Sequence, residues 1–331
     1  MNLNNMEQPL VSVPVITYNS SKTVLETLDS IKAQTYQNIE LIVSDDCSTD
    51  DTVEVCRNWI EQNKDRFVRA ELLTVEKNTG VAGNCNRAGA ACQGEWVKGI
   101  AGDDILMPNC VQDCMDYVAE HPDTIYLFGK QKAFGASEER CKEIDAVFDY
   151  TFFDLTQEQQ LHRLVFDGNC IPATTLFYNR VADQKVGIKN DERIPLLDDW
   201  PKWINLLRAG VKLHFVDKVF VRYRVGGIST GNRASLKMYR SDRLFDFYYR
   251  FPEWYKQNQD EAIRRMVDEE CEIYQMLIES ESDSETSLRY ERNRYKEQYE
   301  AYYKWYNQIR SSKAYRLGKT LLKPFKWLKG K

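Results

Sequence analysis

Residues 10–52 read LVSVPVITYNSSKTVLETLDSIKAQTYQNIELIVSDDCSTDDT, and their hydrophobic period changes twice. Leu10–Thr17 is an apolar, β-branched run that predicts a buried strand. Asn19, Ser20 and Ser21 follow as helix N-cap candidates, and Val24, Leu25, Leu28 and Ile31 then recur at helical spacing. Ile39–Val43 predicts a second strand, which ends in the polar turn Ser44-Asp45-Asp46. Ser48, Thr49 and Asp50 offer caps to a second helix, whose apolar face is Val53, Cys56, Trp59 and Ile60.

Outward from this stretch the alternation continues. Residues 70–75 predict a strand and 83–92 a helix of small residues. Trp96–Ile100 predicts another strand, broken by Gly102-Asp103-Asp104. Pro108 suits a helix start and leads into Val111, Cys114, Met115 and Val118, and Tyr126–Phe128 marks one more strand. Such βαβα order predicts an α/β fold, a mostly parallel sheet flanked by helices. Ligands of such sheets sit beyond the carboxyl ends of the strands. Three polar turns leave those ends: Thr17-Tyr18-Asn19, Ser44-Asp45-Asp46 and Gly102-Asp103-Asp104.

The remainder is less regular. Residues 130–235 show loops around Gly168 and Gly226-Gly227, and beyond about 240 the pattern is helical and charged. An acidic, serine-rich stretch at 279–287 reads as a linker. After it, Leu288, Tyr295, Tyr299, Tyr302, Tyr306 and Ile309 follow an a/d heptad, with Arg292 at one d position. Three heptads suit either a helix docked on the main domain or a homodimer. Residues 313–331 carry seven basic and no acidic side chains, so residues 1–312 carry −12 and the whole chain −5. Leu317, Leu321, Leu322, Phe325 and Leu328 share one helical face there, with lysines flanking it. This tail suits an in-plane helix on an anionic leaflet, or packing on the acidic body. The organisation expected is therefore a main domain over 1–235, a helical extension over 236–312 and a basic amphipathic tail over 313–331.

Composition narrows the function. With 43% hydrophobic and 29% charged residues the 331-residue chain can bury a core, and its acidic balance argues against a nucleic-acid partner. Nine cysteines without a C-x-x-C, and only three histidines, point to reduced thiols rather than zinc or disulfides. No apolar run approaches the ~20 residues of a membrane span, and no secretion signal is evident. A cytoplasmic protein, peripheral on the inner face of the membrane through its tail, is the expectation.

The polar turns carry the chemistry. Adjacent carboxylates at a strand end, as in Asp103-Asp104, repel one another and stabilise a fold poorly. They suit a hard cation, Mg²⁺ or Mn²⁺, bridging phosphate oxygens, although a solvated turn with Asp104 capping the next helix would read the same way. Tyr18, Asn19 and Asp45 add an aromatic face and a carboxylate able to stack a base and accept from its ring N–H. Gly80-Val-Ala-Gly83 lacks the spacing of a dinucleotide fingerprint, and no Walker loop occurs.

Residues 10–52 together with 94–108, GEWVKGIAGDDILMP, resemble glycosyltransferase family 2. The order Tyr-Asn, then Ser-Ile-x-x-Gln-Thr-Tyr, then Asp-Asp-x-Ser-x-Asp-x-Thr, then Gly-Glu-Trp with Asp-Asp carries the resemblance, which covers about the first 235 residues. It implies a GT-A fold and inverting transfer from a nucleotide-sugar donor to a saccharide or lipid-linked saccharide. Bacterial surface-polysaccharide synthesis is the implied setting. UDP is the nucleotide most in keeping with the family, with dTDP and GDP open. Tyr18 then looks like the residue beside the base and Asp45 like its hydrogen-bonding carboxylate. Asp103 and Asp104 look like the metal and diphosphate motif, with Asp104 nearest the metal. Leu197-Asp198-Asp199-Trp200 resembles the family's Glu-Asp-Trp segment, which makes Asp199 the catalytic base. The chain departs from the pattern at Pro14 inside the first strand. It also has Arg87 where the family's helix arginine lies a residue or two earlier, and no histidine after Tyr223-Arg224. Two other readings stay open. A nucleotide-sugar-binding module without turnover would lack product formation. A nucleotidyltransferase would open with a Gly-rich loop, where this chain has Tyr18-Asn19-Ser20-Ser21.

Overall fold

The computed structural model describes residues 8–191, 193–194, 199–226 and 245–250. All lie within one compact unit, Met1–Glu253. The alternation read from the first 130 residues is present: β1 (Val11–Thr17), α1 (Val24–Lys32), β2 (Ile39–Asp45), α2 (Thr52–Asn63), β3 (Arg69–Leu73) and α3 (Gly80–Ala91). There follow β4 (Trp96–Lys98), β5 (Ile100–Ala101), β6 (Ile105–Leu106), α4 (Cys110–Glu120) and β7 (Tyr126–Phe134). The stretch expected to be irregular holds five further elements before its last strand: α5 (Glu138–Asp145), α6 (Gln157–Phe166), β8 (Phe177–Asn179), α7 (Arg180–Val186) and α8 (Trp200–Arg208). The last strand is β9 (Leu213–Arg224).

One sheet runs β3-β2-β1-β4-β8-β7-β9-β6, with β5 also on β1. Strands β1 to β5 are mutually parallel, whereas β8 and β6 enter antiparallel. The first core packs α1, α2 and α4 on this sheet through Val13, Leu28, Ile31, Leu41, Cys56 and Cys114. The second gathers Phe128, Phe152, Leu164, Trp203 and Ile204 around α6 and α8. Phe245 and Tyr249 join it, and Phe245 stacks on Trp200 with ring centroids 4.0 Å apart. The expected heptad and basic tail lie outside the described residues.

Pro14 sits in a strand with neighbours on both sides, and its backbone direction explains why. Val11 N–H donates to Asn38 O, so odd-numbered residues of β1 face β2 and even-numbered ones face β4 and β5. Trp96 N and Gly102 N accordingly donate back to Leu10 O and Ile16 O. Pro14, lacking an N–H, faces the interruption at Gly99 between β4 and β5. The missing donor falls where the ladder is already broken.

The cap candidates behave otherwise than expected. Thr23 and Asp51 hold the N-cap positions of α1 and α2, and neither side chain closes a capping bond. Ser20 and Ser21 instead present their backbone N–H groups to Thr52 Oγ1 and Asp50 Oδ2, at 2.7 and 3.2 Å. The Ser20-Ser21 backbone thus binds its turn to that of α2, while Asp50 also serves its own helix by accepting Thr52 N at 3.0 Å. Leu25, assigned to the apolar face of α1, is 45% exposed.

At the opposite sheet edge, the buried Glu40 carboxylate on β2 receives Ser12 Oγ, Gln93 N, Gly94 N and Arg69 Nη1. Gly94 is packed against β1 so closely that a Cβ would lie 2.6 Å from Ser12 Oγ and 2.7 Å from Leu10 O. Backbone cannot yield as a flexible side chain can. Gly94→Ala should therefore destabilise the fold by ~1–3 kcal/mol, read as a lower denaturant midpoint at unchanged slope.

Candidate active site

The three polar turns meet at the carboxyl edge of the parallel strands. Gly102 N donates to Ile16 O at 2.9 Å, and Thr23 Oγ1 donates to Gly102 O at 2.9 Å, so the Asp103-Asp104 turn is fastened to the end of β1. Asp45 closes β2 beside it. Its buried carboxylate accepts Thr17 Oγ1 at 2.9 Å, Ser48 N at 2.8 Å and Ser48 Oγ at 2.5 Å. Three bonds leave one of a carboxylate's roughly four acceptor positions free. Tyr18, 46% exposed, offers its ring at the same edge. Asn19 takes the left-handed conformation, φ 53°. Its N–H donates to Ser48 Oγ at 2.8 Å and its Oδ1 accepts Thr49 N at 2.8 Å. Asn19 thus shapes the rim through the β2–α2 loop.

Asp46 faces the other side of the sheet and caps α3 from a distance. It accepts Thr79 Oγ1 at 2.6 Å, Gly80 N at 2.8 Å and Arg87 Nη2 at 3.1 Å. Burial works to raise this carboxyl, but those bonds outweigh it and hold Asp46 below the ordinary range. Arg87 also reaches Ser44 Oγ, Thr79 Oγ1 and Asn84 Oδ1 at 2.7–3.0 Å. Its guanidinium buckles α3 to β2.

Asp103 and Asp104 sit differently from each other. Asp104 is 1% exposed, and its Oδ1 accepts Arg224 N at 2.8 Å. Its Oδ2 is buried and, among the described residues, receives no hydrogen-bond donor. Burial and the neighbouring Asp103 carboxylate push Asp104 up to about 8, against the Arg224 N–H and the fully buried Lys98 ammonium. Asp103 is partly buried and also raised, chiefly by burial, while its carbonyl accepts Arg224 Nε at 2.8 Å. An orphaned buried carboxylate oxygen beside a second carboxylate fits a divalent cation. Among the described residues no group of three or more His, Cys, Asp or Glu surrounds it. A hard cation there would complete its shell with water and ligand phosphate, as Mg²⁺ sites commonly do.

Asp199 holds the N-cap of α8, beside Trp200 and Trp203 of the second core. Among the described residues, no hydrogen bond or ion pair joins it to the Asp103-Asp104 turn. Burial raises its carboxyl, opposed by Asn169, by the Trp200 backbone N–H and by the Trp203 indole. Asn169 Nδ2 donates to Asp199 Oδ2 at 2.9 Å. Asp198, the other acid of the segment, lies outside the described residues. Lys98, Asn169 and the Arg224 backbone were not singled out from sequence. Their long-range partners Thr174, Asp199 and Asp104 are 76, 30 and 120 residues away, and only the fold brings them together.

This arrangement, polar turns at the carboxyl edge of a parallel sheet followed by a strand-end Asp-Asp, is that of a nucleotide-sugar transferase fold. The family pattern described as "Glycosyl transferase family 2" matches residues 12–187, and the chain belongs to that family. The E. coli UDP-Glc:alpha-D-GlcNAc-diphosphoundecaprenol beta-1,3-glucosyltransferase WfaP is 26% identical over 233 residues, which cover 69% of this chain and 82% of that protein. S. aureus TarS 1–349 in complex with UDP matches with a TM-score of 0.53 at 21% identity, covering 71% of this chain and 64% of that one. The mannosyltransferase PcManGT from Pyrobaculum calidifontis, in complex with GDP-Man and Mn²⁺, matches with a TM-score of 0.52 at 17% identity over 95% of this chain and 84% of its own. The chain is therefore a glycosyltransferase with the GT-A fold. Among the described residues no helix is long and apolar enough to cross a membrane.

The raised Asp104 carboxyl has a consequence for stability. An aspartate ionises near ~3.9 when unfolded, so between that value and about 8 the folded chain holds a proton the unfolded chain has lost. Cation-free protein should lose stability as pH rises across that window. Asp104→Asn should flatten the dependence, as measured by thermal melts over a pH series in chelator.

Proposed function

We propose that this enzyme transfers a sugar from a UDP-sugar to a saccharide hydroxyl with inversion, in the assembly of a bacterial surface polysaccharide. The observation that carries the reading is the buried, donorless Asp104 Oδ2 at the same strand edge as Tyr18 and Asp45. The WfaP likeness favours a UDP donor and a lipid-linked saccharide acceptor. The catalytic unit is taken as residues 1–235, with 236–312 a helical extension carrying the heptads as a homodimer or docking element. Residues 313–331 form a tail for the inner face of the membrane.

In this reading the Tyr18 ring lies along the base, and the remaining acceptor position of Asp45 takes the base N–H. Asn19 holds Tyr18's turn open. Asp103 and Asp104 hold Mg²⁺ or Mn²⁺, which neutralises charge on the departing diphosphate when bound. Asp199 accepts the proton of the attacking hydroxyl, since a sugar alcohol is too weak an acid to attack unaided. Its raised carboxyl makes it a stronger base than a surface aspartate. One displacement inverts the anomeric centre.

Two substitutions test the assignment. Asp104→Asn should abolish Mn²⁺-dependent UDP binding in calorimetry, and retained binding would place the cation elsewhere. Asp199→Asn should lower kcat by roughly 10²–10⁴-fold with UDP affinity unchanged. A thermal-shift series with UDP, GDP and dTDP in the presence of Mn²⁺ identifies the nucleotide, because the true ligand raises the melting point by mass action.

A further inference from the structure

The loop after α6 carries a device that the transfer reaction above does not yet use. α6 ends at Phe166, and Gly168 follows at φ 121°, a left-handed conformation that side-chain-bearing residues rarely adopt. The next residue, Asn169, makes two bonds. Its Oδ1 accepts Ile171 N at 3.1 Å, which closes a short turn. That bond decides which end of the amide is oxygen, so the other end, Nδ2, is the donor aimed at Asp199 Oδ2 at 2.9 Å. The two elements are fastened together a turn away, where Trp200 Nε1 donates to Leu164 O at 2.7 Å. From the far side the Trp203 indole faces the same carboxylate, although its N–H closes no full hydrogen bond. Neither neighbour could exchange roles with Asn169, because an indole only donates and a backbone N–H cannot turn.

We infer that Asn169 is a positioning residue for Asp199: its amide, oriented by the Ile171 N–H, pins one carboxylate oxygen so that the other is presented to the acceptor hydroxyl. The inference rests on Asp199 being the base of the proposed reaction. It also sets the direction of a pH effect. A donor to the ionised form favours the carboxylate, so losing it makes Asp199 hold its proton to higher pH. The ionisable groups on the elements around it are already committed or remote from that role. Arg163 of α6 bonds Asp149 at 2.6 Å, and Lys202 of α8 lies 3.4 Å from Asp183. Asp191 is bound by Arg193 and by Tyr249 Oη. Burial keeps the Cys170 thiol neutral.

The decisive variant is Asn169→Asp, which keeps an oxygen to accept Ile171 N and so preserves the turn, while replacing the donor with a second carboxylate oxygen. In the full-length enzyme with Mn²⁺, single-turnover transfer should fall ~10–100-fold at the acid end of the profile. The acid limb should move to higher pH, and the deficit should narrow as pH rises. UDP affinity by calorimetry should stay at the parent value. Asn169→Ala should move the limb in the same direction by a smaller amount, having lost the donor without gaining a charge. A deficit equal at every pH, or a limb that does not move in either variant, would overturn the positioning role while leaving Asp199 as base. If Asp199→Asn itself transfers at the parent rate, the base is another group and the inference falls with it.

Discussion

Two adjacent buried carboxylates at the end of β2 hold this edge of the molecule together. Consecutive residues of a strand face opposite sides of the sheet, so Asp45 and Asp46 serve different neighbours. Asp45 draws in the hydroxyls of Thr17 and Ser48, and with them the ends of β1 and the loop into α2. Asp46 takes the first N–H groups of α3, where a negative charge meets the positive end of the helix. Arg87 then returns from α3 to both Asp46 and Ser44. Buried carboxylates are held where their bonds are supplied; Asp45 takes its bonds from β1 and the β2–α2 loop, and Asp46 takes its bonds from α3 and the residue that caps it. The rim on which Tyr18 stands is a product of that satisfaction.

Asp104 presents the opposite case. One oxygen is held by Arg224 N, and the other has no donor among the described residues. The fold bears this cost beside Lys98, a lysine with no exposure whose ammonium is itself held by the carbonyls of Gly99 and Thr174 at 2.8 and 2.7 Å. The chain thus sets a deficit of positive charge at the strand end and supplies only part of it from within.

The half of the molecule beyond residue 130 is organised by aromatic packing rather than by alternation. Phe128, Phe153 and Trp203 contact one another at ring-centroid distances of 5.1 and 5.5 Å. Trp200 lies between Phe245 and the end of α6. Here the rigid hydrophobic contacts serve precision. Asp199 and Asn169 are 30 residues apart, and their 2.9 Å contact depends on α6 and α8 keeping one spacing.

Sequence alone determined the elements whose signal is local. The period-2 and period-3.6 patterns of residues 10–128 place β1, α1, β2, α2 and α4 close to where they occur, because burial on one face imposes those periods on the chain directly. The polar turns at Tyr18, Asp45 and Asp103-Asp104 were legible as turns because polar residues interrupt the strand pattern there, and Asp45 turns out to carry structural bonds as well. Even α6 was within reach, for Thr156 and Gln159 form a capping box with a local signature. What the tertiary structure decided is which polar atom meets which. Ser20 and Ser21 look like caps for α1 and instead reach across to α2. Arg87 lies near the position of the family's helix arginine, and the structure shows it tying α3 to β2. The bonds that Lys98, Arg224 and Asn169 make to Thr174, Asp104 and Asp199 carry no local mark. A hydrogen-bond partner is set by distance in space, and distance in space between residues 30 or 120 positions apart follows only from the assembled sheet and its packed helices.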